Sequence, residues 1–270
     1  MSGIEALLRE VHSLDAAASQ SGWLAGIDPR ATILATFAFI LVVVSFNRYA
    51  VAALLPMAIF PVVLARLGNI PLTKIGFKVL LAMPFALMVG AFNPVFDPLP
   101  RMELMGHGVS GGWLSLASIL IRAALTVAAA LILVASIGMH RLCAALDDLG
   151  VPRALTTQLL FMHRYILVLA GELGRMTLAR ELRSQASKAL PLSVYGPMLG
   201  HMLLRTLERA QRIHQAMLSR GFDGHLPIRQ TQPWQWVDTM FLALCLGAFF
   251  LVRTTDLATL LGRLMLDVAS

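Results

Sequence analysis

The residues of this chain best suited to chemistry are arginines at helix ends. Ala179-Arg180-Glu181 lies near the end of one helix-prone stretch. Ser219-Arg220-Gly221 closes another, LLRTLERAQRIHQAMLSRGFDG, from Leu203 to Gly224. A guanidinium is a planar five-donor fork that fits a carboxylate or backbone carbonyls on another protein. An arginine in the last helical turn is also favoured by the helix dipole, by about 0.3–1 kcal/mol. On spacing alone, ordinary helix-terminal cations account for both positions.

Other reactive groups form no pattern. His12, His107, His140, His163, His201, His214 and His225 show none of the three- or four-residue spacings that put two ligands on one helix face. Surface histidines are the simpler account. Asp147-Asp148 is the only adjacent acidic pair, and nothing nearby in sequence completes a catalytic site. No Gly-x-x-x-x-Gly-Lys-Ser/Thr loop is present, so the chain binds no nucleotide in that way. Cys143 and Cys245 stand far apart and imply neither a disulfide framework nor a thiolate metal site. Fourteen methionines are read as apolar filling.

The elements that must position those arginines come from composition. Residues are 57% hydrophobic and 14% charged, with mean hydropathy +0.73. Soluble domains carry about 25% charged residues, so this surface needs lipid. A bilayer core about 30 Å thick takes roughly 20 apolar helical residues, with about 17 as the lower limit. Five runs qualify as spans: 31–47, 49–65, 79–96, 113–140 and 234–252. The first two make a hairpin turned at Asn47-Arg48. The Gly- and Pro-rich stretch 93–112 reads as a connecting loop. Trp234 and Trp236 read as interfacial anchors. Arg122, inside the fourth run, sits close enough to one end to snorkel. The first 22 residues are polar and lack the apolar centre of a signal peptide.

The formal charge is +7. Topology explains it, because Lys and Arg collect on the cytoplasmic side of membrane proteins. With the N-terminus inside, seventeen of the twenty-two Lys and Arg fall on that side. Residues 141–229 alone hold twelve of them. Gly150 ends one helix in this block, and a long helix follows over about 152–185. Its charges argue for a position along the inner face. Pro191 and Pro197 are expected to break the chain. A second helix over about 197–220 repeats Leu199, Leu203, Leu207, Ala210, Ile213 and Met217 at threes and fours, predicting one buried stripe. Gly221 suits a left-handed cap.

The run from Arg164-Tyr165 through Glu172, Arg175 and Ala179-Arg180, then ERAQRIHQAMLSRGFDG, resembles the transmembrane T component of energy-coupling-factor (ECF) ABC transporters. The similarity is closest to the cobalt and nickel branch, the CbiQ type, and covers about residues 22–225. Asp28-Pro29-Arg30 before the first span resembles it too. The resemblance implies a non-enzymatic subunit with no cofactor or metal of its own. Two cytosolic ABC ATPase subunits would dock on Ala179, Arg180, Glu181 and on Ser219, Arg220, Gly221. Arg164, Glu172, Arg175, Arg183, Arg205 and Arg209 would support the coupling helices. A metal-binding S component would sit in the membrane beside it. Both motifs depart from an Ala-Arg-Gly pattern, with Glu third in one and Ser first in the other.

The fold class expected is all-α, a polytopic membrane protein of about five spans with long cytoplasmic coupling helices. Its parts are a cytoplasmic segment 1–30, spans one to four over 31–140, a coupling region 141–232, and the last span with its tail over 233–270. The place expected is a bacterial or archaeal plasma membrane, with a cytoplasmic N-terminus and no nucleic-acid partner. Two alternatives stand beside the metal importer: a T component serving vitamin S components, and a polytopic membrane enzyme.

Overall fold

The computed structural model describes residues 23–47, 51–96, 100–104, 107–183, 192–224 and 233–254. Expectations for the first 22 residues, Arg48, Pro191 and residues 255–270 lie outside them. The described chain divides into two units, 23–138 with 233–254, and 139–224.

The first unit is built from apolar helices. Asp28 caps α1 (Pro29–Ser45), its Oδ1 accepting the Arg30 N–H at 2.8 Å. Pro29 then occupies the first helical position, where its missing N–H does no harm. Two proline-interrupted pieces return the chain, α2 (Val51–Leu54) and α3 (Ile59–Leu67). Next come α4 (Leu72–Gly90) and the short α5 (Asn93–Phe96). Strands β1 (Pro100–Leu104) and β2 (His107–Ser110) form an antiparallel hairpin. The helix α6 (Gly111–Ile137) follows, and α10 (Trp236–Thr254) completes the unit.

Close contacts fix the directions. The Arg122 side chain of α6 donates to Phe46 O at 2.9 Å and Asn47 O at 2.6 Å. It therefore satisfies the open carbonyls at the C-terminal end of α1, where snorkelling had been expected. Gly90, ending α4, faces Leu116 near the start of α6. Gly68, just past α3, faces Ser136 near the end of α6. At the opposite end of α1, the Asp28 N–H donates to Asp238 Oδ1 of α10 at 2.8 Å. So α1, α4 and α10 run one way, and α3 and α6 run the other.

The core lies between these helices. Ala31, Ala35, Phe39 and Val43 recur every four residues on α1 and are wholly buried. The last three of them share one cluster with Leu125 and Ala129 of α6 and Cys245 and Phe249 of α10. Alanines at 35 and 129 let the backbones approach closely, as membrane helices require. The outer faces are apolar: Leu81 and Phe85 of α4 are 75% and 76% exposed. Lipid is the medium that covers such a surface.

Several boundaries differ from the sequence reading. The third span starts at Leu72 and takes in Lys74 and Lys78, whose long stems can carry the charge out of an apolar layer. The fourth ends at Ile137 because Gly138 turns the chain with φ +78°. Where a loop was expected over 93–112, the described residues hold a short helix and a hairpin. Beyond the hairpin, Asn93 Nδ2 donates to Ser115 Oγ at 2.8 Å. A Cβ on Gly112 would lie 2.4 Å from Pro94 Cα. Gly112→Ala should therefore destabilise this corner by about 1–3 kcal/mol, as overpacking does, read as a lower unfolding midpoint in detergent.

Among the described residues, four helices are long and apolar enough to cross a membrane: α4, α6, α10 and Arg153–Arg180. Pro29–Ser45 and Pro56–Leu67 are apolar and shorter. The chain is an all-α, multi-pass membrane protein, and among the described residues strands occur only in the hairpin.

The second unit holds α7 (Met139–Asp148), α8 (Arg153–Arg183) and α9 (Leu192–Leu218). Gly150 ends α7 as expected: at φ +92° its N–H donates to Asp147 O, and Val151 N–H reaches Leu146 O. Those two bonds are the Schellman closure. Gly171 and Gly174 leave α8 unbroken. Pro197 lies inside α9, contrary to the expected break. It is the sixth residue of the helix, so the backbone bond it omits is the single one to the carbonyl of Ser193, and the helix continues past that gap.

Candidate docking site

Helices α8 and α9 run antiparallel, and side chains along them define the register. Glu172 of α8 accepts from Arg175 at 2.6 Å and from Arg205 of α9 at 3.1 Å. Toward the end of α8, Met176, Ala179, Arg180 and Arg183 face Met198, His201, Leu204 and Arg205 across a cavity of about 910 Å³. In the other direction, Phe161, Tyr165 and Leu169 face Ala210, Ile213 and Met217 across one of about 400 Å³. The ion cluster thus joins the rods between two open grooves.

Antiparallel rods separate their C-terminal ends. Arg180 stands opposite Met198 and His201, whereas Arg220 lies beyond the start of the facing stretch of α8. At 1.5 Å per residue the two arginines are roughly 30 Å apart along the pair. Both are exposed.

Each end has its own local cause. Arg180 and Arg183 occupy the last turn of α8. Glu181 shares that turn, and its side chain lies outside the described residues. At the other end Gly221 has φ +81°, its N–H donates to Leu218 O, and Phe222 N–H donates to Met217 O, each at 3.0 Å. This is the Schellman closure again, so Arg220 is the cap residue. Phe222 folds back with Met217 into the smaller groove. The Ser219 hydroxyl donates to Gln215 O at 2.9 Å and is spent inside the helix. The Arg220 side chain is exposed beside it.

The supporting residues divide. Glu172, Arg175 and Arg205 form the ion cluster, Arg183 lines the larger groove, and Arg209 lines the smaller. Arg164 is exposed on α8. The Arg175 hydrogen bond, aided by both guanidinium charges, holds the Glu172 carboxyl below its ordinary range. A depressed carboxyl pKa means the cluster contributes fully at neutral pH and is lost only as pH falls through the lowered value. Exposed ion pairs contribute little. Glu172→Gln should therefore reduce crosslinking between cysteines placed at 176 and 201 by about twofold without abolishing it.

The predicted buried stripe of α9 is a correction. Leu199, Leu203 and Leu207 are 53–60% exposed, while Ile213 and Met217 are half-buried against α8. The antiparallel partner reaches only one part of that face, so the remaining leucines need another cover.

No group of three or more metal-binding side chains exists among the described residues. His140 and His163, distant in sequence, do meet edge to face at 6.3 Å between ring centroids. Burial pushes the Cys143 thiol up, away from the thiolate that a metal ligand must be. The sequence reading passed over Asp238, which the structure buries against Asp28. An acid in the first turn of an otherwise apolar helix was the available signal.

Its long apolar helices make this chain a multi-pass membrane protein. The profile of the CbiQ family, described as cobalt transport protein, matches residues 20–233, and the chain belongs to that family. A protein of Methanocaldococcus jannaschii, named only as the uncharacterized protein MJ1089, is 31% identical over 87 residues. That match covers 31% of this chain and 32% of the relative, so the chain spans about a third of the length of the curated relative it matches.

Proposed function

We propose that this chain is the coupling subunit of an ECF-type importer for cobalt or nickel. It transmits the motion of two cytosolic ATPases to a membrane S component that captures the ion. The observation that carries this reading is the antiparallel pair α8–α9, with an exposed arginine near each far end and an ion cluster between.

Membrane topology supports the cytoplasmic placement of that pair. The Asp28–Asp238 hydrogen bond puts the starts of α1 and α10 on one face. With α6 antiparallel to α1, the chain leaves the membrane after α6 on that same face. The segment 139–232 must then cross an even number of times. A crossing by α8 would need a second by α9, which carries Arg205, Glu208, Arg209 and Arg212. Charged residues at mid-membrane are costly, so neither crosses. The abundance of Lys and Arg in this segment supports reading that face as the cytoplasmic one, with the N-terminus inside.

In the cycle, one ATPase holds the Arg180 end and its twin the Arg220 end. Nucleotide-driven approach and separation of the ATPases change how α8 crosses α9. The exposed leucines of α9 move with it and shift the S component packed above. Purifying the tagged chain from its native membrane tests this. Two ABC ATPase subunits and a metal-binding membrane subunit should co-purify. Recovery without any ATPase would reject the coupling role, and a vitamin-binding S component would reject the metal cargo.

A further inference from the structure

Asp238 is the third residue of α10 and is 2% exposed. Its Oδ2 accepts the Gln235 N–H at 2.7 Å. Gln235 immediately precedes the helix, so this is the reach-back half of a capping box. Its Oδ1 accepts the N–H of Asp28, itself the cap of α1. The third residue of α1, which would reach back in an ordinary capping box, is Ala31 and offers no acceptor. Asp238 supplies that acceptor from another helix, 210 residues away. One carboxylate thus closes two parallel helix N-termini, each presenting the positive end of its dipole.

The same two helices are fastened elsewhere. Phe39 and Phe249 meet midway, with centroids 5.6 Å apart. At the far end Arg253 donates to Ser45 O at 3.2 Å and lies 4.7 Å over the Phe46 ring.

We propose that Asp238 is a positioning residue that joins α1 and α10 into one rigid body, the fixed point against which the arginine-tipped rods act. This rests on the coupling role. Among the described residues α10 is the next helix after α9. A load that reaches α10 from its N-terminal side acts first on the Gln235 end. A cap shared with α1 spreads that load onto a second helix, and the motion goes to the S component instead of unwinding α10.

The test uses Asp238→Asn and Asp238→Ala. Asparagine keeps the size but loses the charge and turns an amide N–H₂ toward an N–H donor. A residue that only fills space would tolerate it. Spin labels at 34 and 240 report the capped end in a cysteine-free chain reconstituted in vesicles, and labels at 44 and 250 report the far end. Both variants should broaden the first distance distribution about twofold and leave the second unchanged, since a lost charge-assisted hydrogen bond shifts a local equilibrium by about tenfold. In cells expressing the full transporter, Co²⁺ uptake should fall about tenfold while ATP hydrolysis by the purified complex stays within about twofold. Wild-type distances and uptake in Asp238→Asn would overturn the proposal. So would loss of both variants from the membrane, which would make Asp238 a folding residue. If the wild-type chain captures no ATPase, the coupling role fails, and the vesicle distances still decide whether Asp238 holds the two helices together.

Discussion

Reversing both docking charges, Arg180→Glu with Arg220→Glu, should strip the ATPases from the chain while membrane insertion stays normal. Both side chains are exposed, so neither carries the fold. Removing one partner of a buried interfacial charge pair costs about 2–5 kcal/mol, and a like charge adds repulsion. At 1.4 kcal/mol per tenfold, each reversal weakens its own contact by roughly 30-fold or more. The two contacts also reinforce one another. Once one arm is bound, the other binds as an intramolecular step, so a bivalent complex loses more than either site alone. Pull-down of the ATPases with the tagged chain measures this. Each single reversal should leave a weakened complex and the double variant none. Arg212→Glu, on an exposed position of α9 outside both motifs, is the charge control.

Phe39→Ala should be the most damaging substitution in the bundle. Phe39 is fully buried and stacks on Phe60 at 4.6 Å, and both rings meet Phe249. Truncation removes a ring from the centre of three helix segments and leaves a cavity. Core Phe→Ala changes cost about 3–5 kcal/mol. In lipid, where apolar side chains gain little by leaving the solvent, packing contacts of this kind hold the helices together. Unfolding of the purified protein by SDS titration should show the loss. Phe39→Leu should recover much of it, because it refills most of the volume.

Much of this architecture was readable from residue order. Apolar runs located α1, α6 and α10, because a helix in lipid must be apolar over a fixed length. Gly150 and Gly221 marked helix ends, because a left-handed residue closes the last carbonyls most easily when it has no side chain. Arg180 and Arg220 stood out as cations in or beside the last turn of a helix. What stayed hidden depends on pairing between distant segments. No pattern along α9 announces which leucines α8 covers, so the buried stripe was overdrawn. Arg122 read as a snorkelling charge because its acceptors belong to the end of another helix. Asp238 went unnoticed for the same reason: its significance comes from Asp28. Pro197 misled because one proline removes a single backbone bond, and a helix of 27 residues continues past it.

The central claim is that the two arginine-bearing ends face the cytoplasm and meet the ATPases there. Single cysteines at 180 and 220, in a chain otherwise free of cysteine, can be labelled with a membrane-impermeant maleimide. Inside-out vesicles should label at both positions, right-side-out vesicles at neither, and bound ATPases should protect both. Labelling from the exterior, or undiminished labelling in the ATPase-bound complex, would contradict the account.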